Sequence, residues 1–214
     1  MSATVTLNDV LARTDVWRGR LVDATLPALS SGFPALDAEL PGGGWPRGAL
    51  TELLVDASGY GECSLLRPVF EAVRTEARWL ILIAPPHVLH APAWIGSGAD
   101  GAHLVVIAPE SPRDLLWAAE QSLSVAVAGA VLCWADAIVA AQTRRLQVAA
   151  SAGKAPCFLF RPRRACAENS AAPLRLALSS GSRGTLGVDV IKRRGPPLGR
   201  TLFLDVARPS AWRG

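Results

Sequence analysis

A glycine-rich turn at residues 56–61 carries the clearest chemical meaning in this sequence. It follows an apolar run of β type at residues 52–55 and precedes a helical pattern that starts at residue 64. A strand, a glycine-rich turn and a helix in this order form the layout of a nucleotide-binding P-loop. Its motif, G-x-x-x-x-G-K-[ST], holds phosphate through backbone N–H groups, a Lys and a hydroxyl bound to Mg²⁺. The sequence therefore predicts a P-loop architecture at this turn, marked by Asp56, Gly59, Gly61, Glu62 and Cys63.

The residues that give a P-loop its chemistry are replaced in this turn. Asp56 stands in place of the first Gly, Glu62 in place of the Lys, and Cys63 in place of the Ser or Thr. Two carboxylates repel a polyphosphate, and no cation replaces the Lys. We therefore expect a degenerate nucleotide loop with no catalytic residue and no cofactor.

The carboxylates that an ATPase of this type needs on its later strands are also missing. The position for the water-activating acid reads Ala84-Pro85-Pro86, and the position for the Mg²⁺ ligand reads Cys133-Trp134, with Asp136 two or three residues too late. Because three separate elements fail together, we predict that the protein is not an enzyme. Nucleotide binding without hydrolysis, and a nucleotide-dependent motor with a degenerate loop, remain as alternatives.

Composition restricts the class of protein. The chain has 214 residues, half of them apolar, which is enough for a sizeable core. No apolar run reaches the roughly 20 residues of a membrane span. The N-terminus contains acidic residues and no long apolar stretch, so it does not resemble a secretory signal. The four cysteines lack metal-binding spacing, so we expect reduced thiols, no metal site and a cytoplasmic location; they are Cys63, Cys133, Cys157 and Cys166.

Charge is distributed unevenly along the chain. Residues 1–143 hold eight Lys or Arg and fifteen Asp or Glu, whereas residues 144–214 hold fourteen and three. Two basic clusters predict binding of DNA or, equally, of an acidic protein; they are Arg161, Arg163 and Arg164, and Lys192, Arg193 and Arg194. A solvated basic tail is the alternative. Aromatic residues for base stacking are sparse, because Phe158, Phe160 and Phe203 are expected in the core.

Tryptophan is unusually frequent, with seven in the chain. Trp79 and Trp117 fit core positions. A second group combines Trp with Arg, the usual anchors of protein–protein contacts, and is predicted to bind a partner. This group consists of Trp17, Arg18, Arg20, Trp45 and Arg47. Packing of these tryptophans within the protein is an equal alternative.

The elements that must position these residues alternate between strands and helices, which predicts an α/β fold with a mostly parallel sheet flanked by helices. Strands are expected at 49–55, 78–84, 103–108, 130–133 and 157–160, with 78–84 and 103–108 buried on both faces. Helices are expected at 7–18, 34–40 (capped by Ser31), 64–76, 111–122 and 136–152, the last ended by Gly153. Residues 85–101 are predicted to be irregular or weakly helical. Alternating strands at 174–178, 186–191 and 201–206 predict an antiparallel extension. The resulting domains are an N-terminal helix and connector at 1–28, a core at 29–165 and a basic β extension at 166–214.

Residues 31–53, SGFPALDAELPGGGWPRGALTEL, closely resemble ImuA, the RecA-like protein of bacterial mutagenesis cassettes. Residues 186–195, LGVDVIKRRG, are similar to the terminal hairpin of that family. Residues 78–161 are also similar to SulA, the damage-induced inhibitor of FtsZ. The shared features there are R-W-L, A-P, S-P-R-D-L-L-W-A-x-E and F-L-F-R-P.

The resemblance to ImuA implies a RecA-like core and a non-catalytic accessory role in error-prone translesion synthesis during the SOS response. The implied partners are ImuB and an error-prone C-family DNA polymerase, with RecA as a further candidate. Self-association is compatible with a RecA ancestry, and the implied location is the cytoplasm, at the nucleoid after induction. The alternative implied by the SulA resemblance is a cell-division inhibitor that binds FtsZ.

Overall fold

The structure, a computed structural model, describes residues 27–59 and 61–206. A short ladder, β1 (Ala28–Leu29) and β2 (Trp45–Pro46), encloses helix α1 (Pro34–Asp37). The remaining strands are β3 (Leu50–Val55), β4 (Trp79–Ile83), β5 (Leu104–Ile107), β6 (Ala128–Trp134), β7 (Cys157–Pro162), β8 (Leu174–Ser180), β9 (Leu186–Lys192) and β10 (Thr201–Leu204). The other helices are α2 (Arg67–Thr75), α3 (Ala91–Gly96), α4 (Pro112–Ser124) and α5 (Ala140–Gly153).

Eight strands form one mixed sheet in the order β10-β9-β8-β3-β7-β6-β4-β5. The pairs from β8 through β5 are parallel, and β9 and β10 are added antiparallel. The mostly parallel sheet predicted from the alternation of strands and helices is therefore confirmed. The three strands that were expected to form an antiparallel extension belong to this same sheet. The first of them, β8, pairs in parallel with β3, and only β9 and β10 are antiparallel.

Two apolar layers cover the sheet. One layer holds α1, Trp45 and the buried face of α2, and the other holds α4 and α5. Local sequence explains where two of these helices begin. Pro68 lies in the first turn of α2, and the Ser111 hydroxyl accepts from the Asp114 N–H at the start of α4. The start of α4 agrees with the sequence prediction to within one residue, whereas α2 starts at Arg67, three residues later than expected, because Ser64–Leu66 form a 3₁₀ turn.

Several boundaries differ from the prediction. Helix α1 ends at Asp37 instead of residue 40, and its N-cap is Phe33 instead of Ser31. Helix α5 starts at Ala140, four residues later than expected, and its left-handed end residue is Lys154 instead of Gly153. Gly153 is needed for a different reason: a Cβ there would lie 1.7 Å from the carbonyl oxygen of Leu123, at the end of α4.

Strand β5 was expected to be buried on both faces, and this was wrong. It is the last strand of the sheet, paired only with β4 among the described strands, and Val106 is 44% exposed. A continuous apolar run cannot by itself distinguish a central strand from an edge strand. The helix predicted at residues 7–18 lies outside the described residues. Among the residues that are described, no helix is long and apolar enough to cross a membrane.

Candidate functional site

The carboxyl ends of the parallel strands meet at one edge of the sheet, where α/β proteins usually bind ligands. The loop after β3 lies there, together with the segments that follow β4, β6 and β7. A cavity of about 420 Å³ opens between the ends of β4 and β6 and the start of α4. A second cavity, of about 270 Å³, is lined by Asp56, Trp134, Arg161 and Arg164, among others.

In the loop after β3, the side chain of Glu62 occupies the backbone donors. The Gly59 N–H donates to Oε1 of Glu62 at 2.9 Å, and the Gly61 N–H donates to Oε2 at 3.1 Å. Glu62 is only 7% exposed. In a working P-loop, backbone N–H groups at such a turn bind phosphate. Here a carboxylate of the protein itself satisfies two of them.

The neighbouring residues strengthen this closed arrangement. Burial, and then the charge of Glu62, raise the pKa of the Cys63 thiol to about 12, so the group stays protonated at neutral pH. A thiol is also a poor ligand for Mg²⁺, which prefers oxygen. Gly61 has a φ of 102°, and a Cβ there would lie 2.7 Å from Val206. The end of the described chain therefore packs against the loop.

Trp134 lies at the end of β6, where an ATPase of this type needs a Mg²⁺-binding acid. Its ring stacks on Phe160, with centroids 4.7 Å apart and planes 6° apart. Both Trp134 and Asp136 line the cavities, and Asp136 is exposed beyond the strand. At the end of β4, Ala84 adopts a left-handed φ of 52° before two prolines. This edge thus presents apolar side chains and backbone where an ATPase needs carboxylates.

A buried ion network lies beside this edge and was missed by sequence reasoning. Glu52, which is fully buried in β3, accepts from Nε of Arg175 at 2.6 Å, from Nη1 of Arg161 at 3.3 Å and from the Ser170 hydroxyl at 2.6 Å. Arg161 also donates to Glu168 at 2.5 Å and to the Ile138 carbonyl at 3.0 Å. Charged residues within otherwise apolar strands were the available signal, because such charges are buried only when paired.

The three residues of the first basic cluster, Arg161, Arg163 and Arg164, differ in how far they are exposed to solvent. Arg161 was predicted to bind DNA or an acidic partner, and this was wrong, since it is 2% exposed and bound to two carboxylates. Arg163 is half-buried, with Nη2 3.6 Å from Asp189. Arg164 is exposed and contacts the Asp136 carbonyl.

The second basic cluster lies at the turn between β9 and β10. Lys192 is exposed and donates to the Ser170 carbonyl at 2.8 Å. Arg193 is held by Glu39, whose carboxylate also binds Arg200. These two hydrogen bonds, with that of Arg193 the stronger, lower the pKa of Glu39. Arg194 is exposed. Binding of a partner by these exposed cations stays a prediction.

The structure also changes the interpretation of the residues that were predicted to bind a partner near the N-terminus. Trp17, Arg18 and Arg20 lie outside the described residues. Trp45 is fully buried and packs edge-on against Phe158, with ring centroids 5.5 Å apart, so its prediction as a partner contact was wrong and the packing alternative holds. Arg47 forms an ion pair with Glu76.

Two aromatic residues expected in the core are exposed. Trp117 on α4 is 63% exposed, and Phe203 on β10 is 65% exposed. Phe158 and Phe160 are buried as predicted, and so are Cys133 and Cys157. Burial raises the pKa of Cys133 to about 12 and that of Cys157 well above its usual value, as expected for inert core thiols.

Comparison with known proteins points in one direction. No family model matches the chain. The chain is similar to SulA. It is 29% identical over 116 residues to the cell division inhibitors SulA of Pectobacterium carotovorum and Pectobacterium atrosepticum, covering 54% of this chain and 69% of each relative. It is 31% identical over 111 residues to SulA of Photorhabdus laumondii, covering 52% and 63%. A crystal structure of SulA from Pseudomonas aeruginosa aligns at 24% identity with a TM-score of 0.44, covering 52% of this chain and 97% of that chain.

Proposed function

We propose that this protein acts in the cytoplasm by binding another protein during the response to DNA damage, and that its RecA-like loop does not hydrolyse ATP. The proposal that ATP is not hydrolysed rests on one observation: the Glu62 carboxylate accepts hydrogen bonds from the N–H groups of Gly59 and Gly61. A triphosphate would have to displace a buried carboxylate and would gain no Lys in exchange. Phosphate release measured with ATP, with and without single-stranded DNA, should stay at the background rate.

Inhibition of cell division is the first candidate for the role, because the matched relatives are cell division inhibitors. The target would then be FtsZ, and the protein would act by occupying a surface that FtsZ needs for polymerisation. Sedimentation of FtsZ polymers with GTP tests this directly. Polymer mass should fall in proportion to the protein added, and an unchanged mass at excess protein would exclude the role.

Trp117 provides a variant for that assay. It belongs to the S-P-R-D-L-L-W-A-x-E stretch, it is 63% exposed on α4, and large exposed aromatics are frequent anchors of protein contacts. Trp117→Ala should weaken the inhibition of FtsZ. Phe203→Ala is a matched control, since Phe203 is equally exposed but lies outside residues 78–161. Equal effects of both substitutions would argue against α4 as the contact surface.

A role as an adaptor in error-prone translesion synthesis is the second candidate, and one observation favours it. The segment that resembles ImuA folds as a unit: the Asp37 carboxylate accepts from the Ser31 N–H at 2.8 Å and the Ser30 hydroxyl at 2.7 Å, while Trp45 anchors β2 in the core. The SulA matches leave almost half of the chain uncovered. The uncovered part of the chain then requires another explanation.

Co-elution on a sizing column with ImuB, with the C-family polymerase and with RecA tests the adaptor role. Complexes should form equally with and without ATP, because the loop is closed. Replacement of Trp17 and Arg20 by Ala tests the N-terminal part of the predicted contact, with Arg113→Ala on α4 as a control for charge. Inhibition of FtsZ without any co-elution would leave cell-division inhibition as the supported role.

A further inference from the structure

One face of the strands β9 and β10 lies outside both apolar layers. Leu186, Val188, Leu202 and Leu204 point into the layer that contains α1 and α2. Alternation along a strand sends the intervening residues to the opposite face. On that opposite face Phe203 is 65% exposed, and Ile191 is 38% exposed. Over β8 this face is covered, since Ala177 packs against Ala165 and is 1% exposed, whereas over β9 and β10 it remains open to solvent.

The neighbours of Phe203 leave its ring free. Phe203 is paired in register with Gly187, which is paired in turn with Ser179. The Cε1 atom of Phe203 lies 3.5 Å from the position that a Cβ at Gly187 would occupy, and Cδ1 lies 3.2 Å from that at Gly181. The ring therefore packs against Gly187 and Gly181. The residues in register with it, Gly187 and then Ser179, have no bulky side chain that could cover it.

Two cations border this face. Lys192 is exposed and Arg163 is half-buried, whereas Arg161 and Arg175 are buried in the network around Glu52. Lys192 and Arg163 are anchored on carbonyl oxygens beside β8, those of Ser170 and Leu178. Two acidic residues lie at this face: Asp189, which is shared between Arg163 and the Thr201 hydroxyl, and Asp205, which is exposed two residues after Phe203. Within the described part of the chain, Lys192 forms no ion pair with a carboxylate, so its charge is available.

We propose that this face binds single-stranded nucleic acid, with a base stacked on Phe203 and phosphates held by Lys192 and Arg163. An exposed aromatic ring on an open sheet, bordered by cations, is the combination that binds single strands without reading their sequence. An acidic protein would use the cations but would not require the ring. This surface is separate from the closed loop and from Trp117, so the proposal goes beyond the proposed function and is independent of its outcome.

Fluorescence anisotropy of a labelled oligothymidylate with the full-length protein tests the proposal. Phe203→Ala should raise the Kd about fivefold or more, because stacking on one aromatic contributes about 1–3 kcal/mol per base. Phe203→Trp should retain binding, since a larger ring also stacks. Lys192→Gln should weaken binding and lower the slope of log K against log salt by about 0.7. Arg113→Gln, at an exposed position of α4, should have no effect.

The outcomes separate the proposal from its alternatives. Thermal unfolding checks that each variant is folded. Phe203 and Lys192 are exposed, so their substitution should not prevent folding. Absence of binding by the wild type, or equal binding by Phe203→Ala and the wild type, would overturn the proposal. Displacement of the oligonucleotide by polyglutamate, with dependence on Lys192 but not on Phe203, would identify an acidic protein as the ligand and would also overturn it.

Discussion

The Nε atom of Arg175 lies 2.6 Å from Oε2 of Glu52, across the parallel pair of β8 and β3. The two residues are register partners, and both are almost completely buried. Arg161 approaches the same carboxylate from β7, on the other side of β3. One carboxylate therefore links three neighbouring strands and fixes the segment that follows β7 against the carboxyl edge of the sheet.

Glu52→Ala is expected to lower the free energy of unfolding by about 3–5 kcal/mol, because removal of one partner leaves buried charge without compensation. Urea denaturation followed by circular dichroism measures the change. Replacement of the whole network, as Glu52→Leu with Arg161→Met and Arg175→Met, should recover much of the loss, since apolar residues of similar volume often substitute for buried ion pairs. A loss below about 1 kcal/mol for Glu52→Ala would contradict the assigned role.

Glu62→Ala is expected to free the Gly59 and Gly61 N–H groups without creating an ATPase. Amide hydrogen exchange at these two glycines should become faster, because a charge-assisted hydrogen bond at each is lost. Glu110→Ala removes an exposed carboxylate at the same edge and serves as the control. Unchanged exchange at both glycines would show that the carboxylate does not occupy them in solution.

Trp45→Ala is expected to destabilise the protein by about 3–5 kcal/mol, as for other large aromatic residues in a core. Trp45→Phe should cost less and should leave partner binding unchanged, because the side chain is fully buried. Calorimetry and co-elution measure the two effects. Normal stability of Trp45→Phe combined with lost co-elution would restore Trp45 as a partner contact.

Glu39→Gln should show the effect of pH on the turn between β9 and β10. Hydrogen bonds from Arg193 and then Arg200 lower the pKa of Glu39 below its usual 4.5. A lowered pKa contributes stability that is present above pH 4.5 and is lost as the pH falls through the folded-state pKa. At pH 7 the substitution should lower Tm by about 1–3 °C, as expected for a partly exposed pair. The difference between variant and wild type should disappear in acid; a difference that persists there would have another cause.

Much of the fold could be predicted from local patterns. The strands that became β3, β4, β6 and β7 stand out as short apolar runs between turns, and the start of α4 is marked by Ser111 and Pro112. These signals depend on residues close together in the chain. The position of a strand within the sheet depends on distant partners, which explains why β5 was predicted to be buried on both faces.

The candidate functional site was also predictable only where the signal is local in the sequence. Replacement of the P-loop Lys by Glu62 is visible in the sequence, but the folding of that carboxylate back onto Gly59 and Gly61 depends on side-chain geometry. The burial of Arg161 and the exposure of Phe203 could not be predicted from a strand pattern alone. In each of these two cases the deciding neighbour is remote: Glu52 for Arg161, and Gly187 for Phe203.

The central position of β3 has a consequence for synthesis on the ribosome. Its partner residue Arg175 is 123 positions later than Glu52. At about 5–20 residues per second, roughly 6–25 s pass between the translation of the two residues. During that interval one edge of β3 has no strand to pair with. The Glu52 carboxylate, which is buried in the folded protein, also lacks its ion pair with Arg175. Nascent chains should therefore depend on chaperone protection, and truncation within the last third should cause aggregation instead of yielding a smaller stable protein.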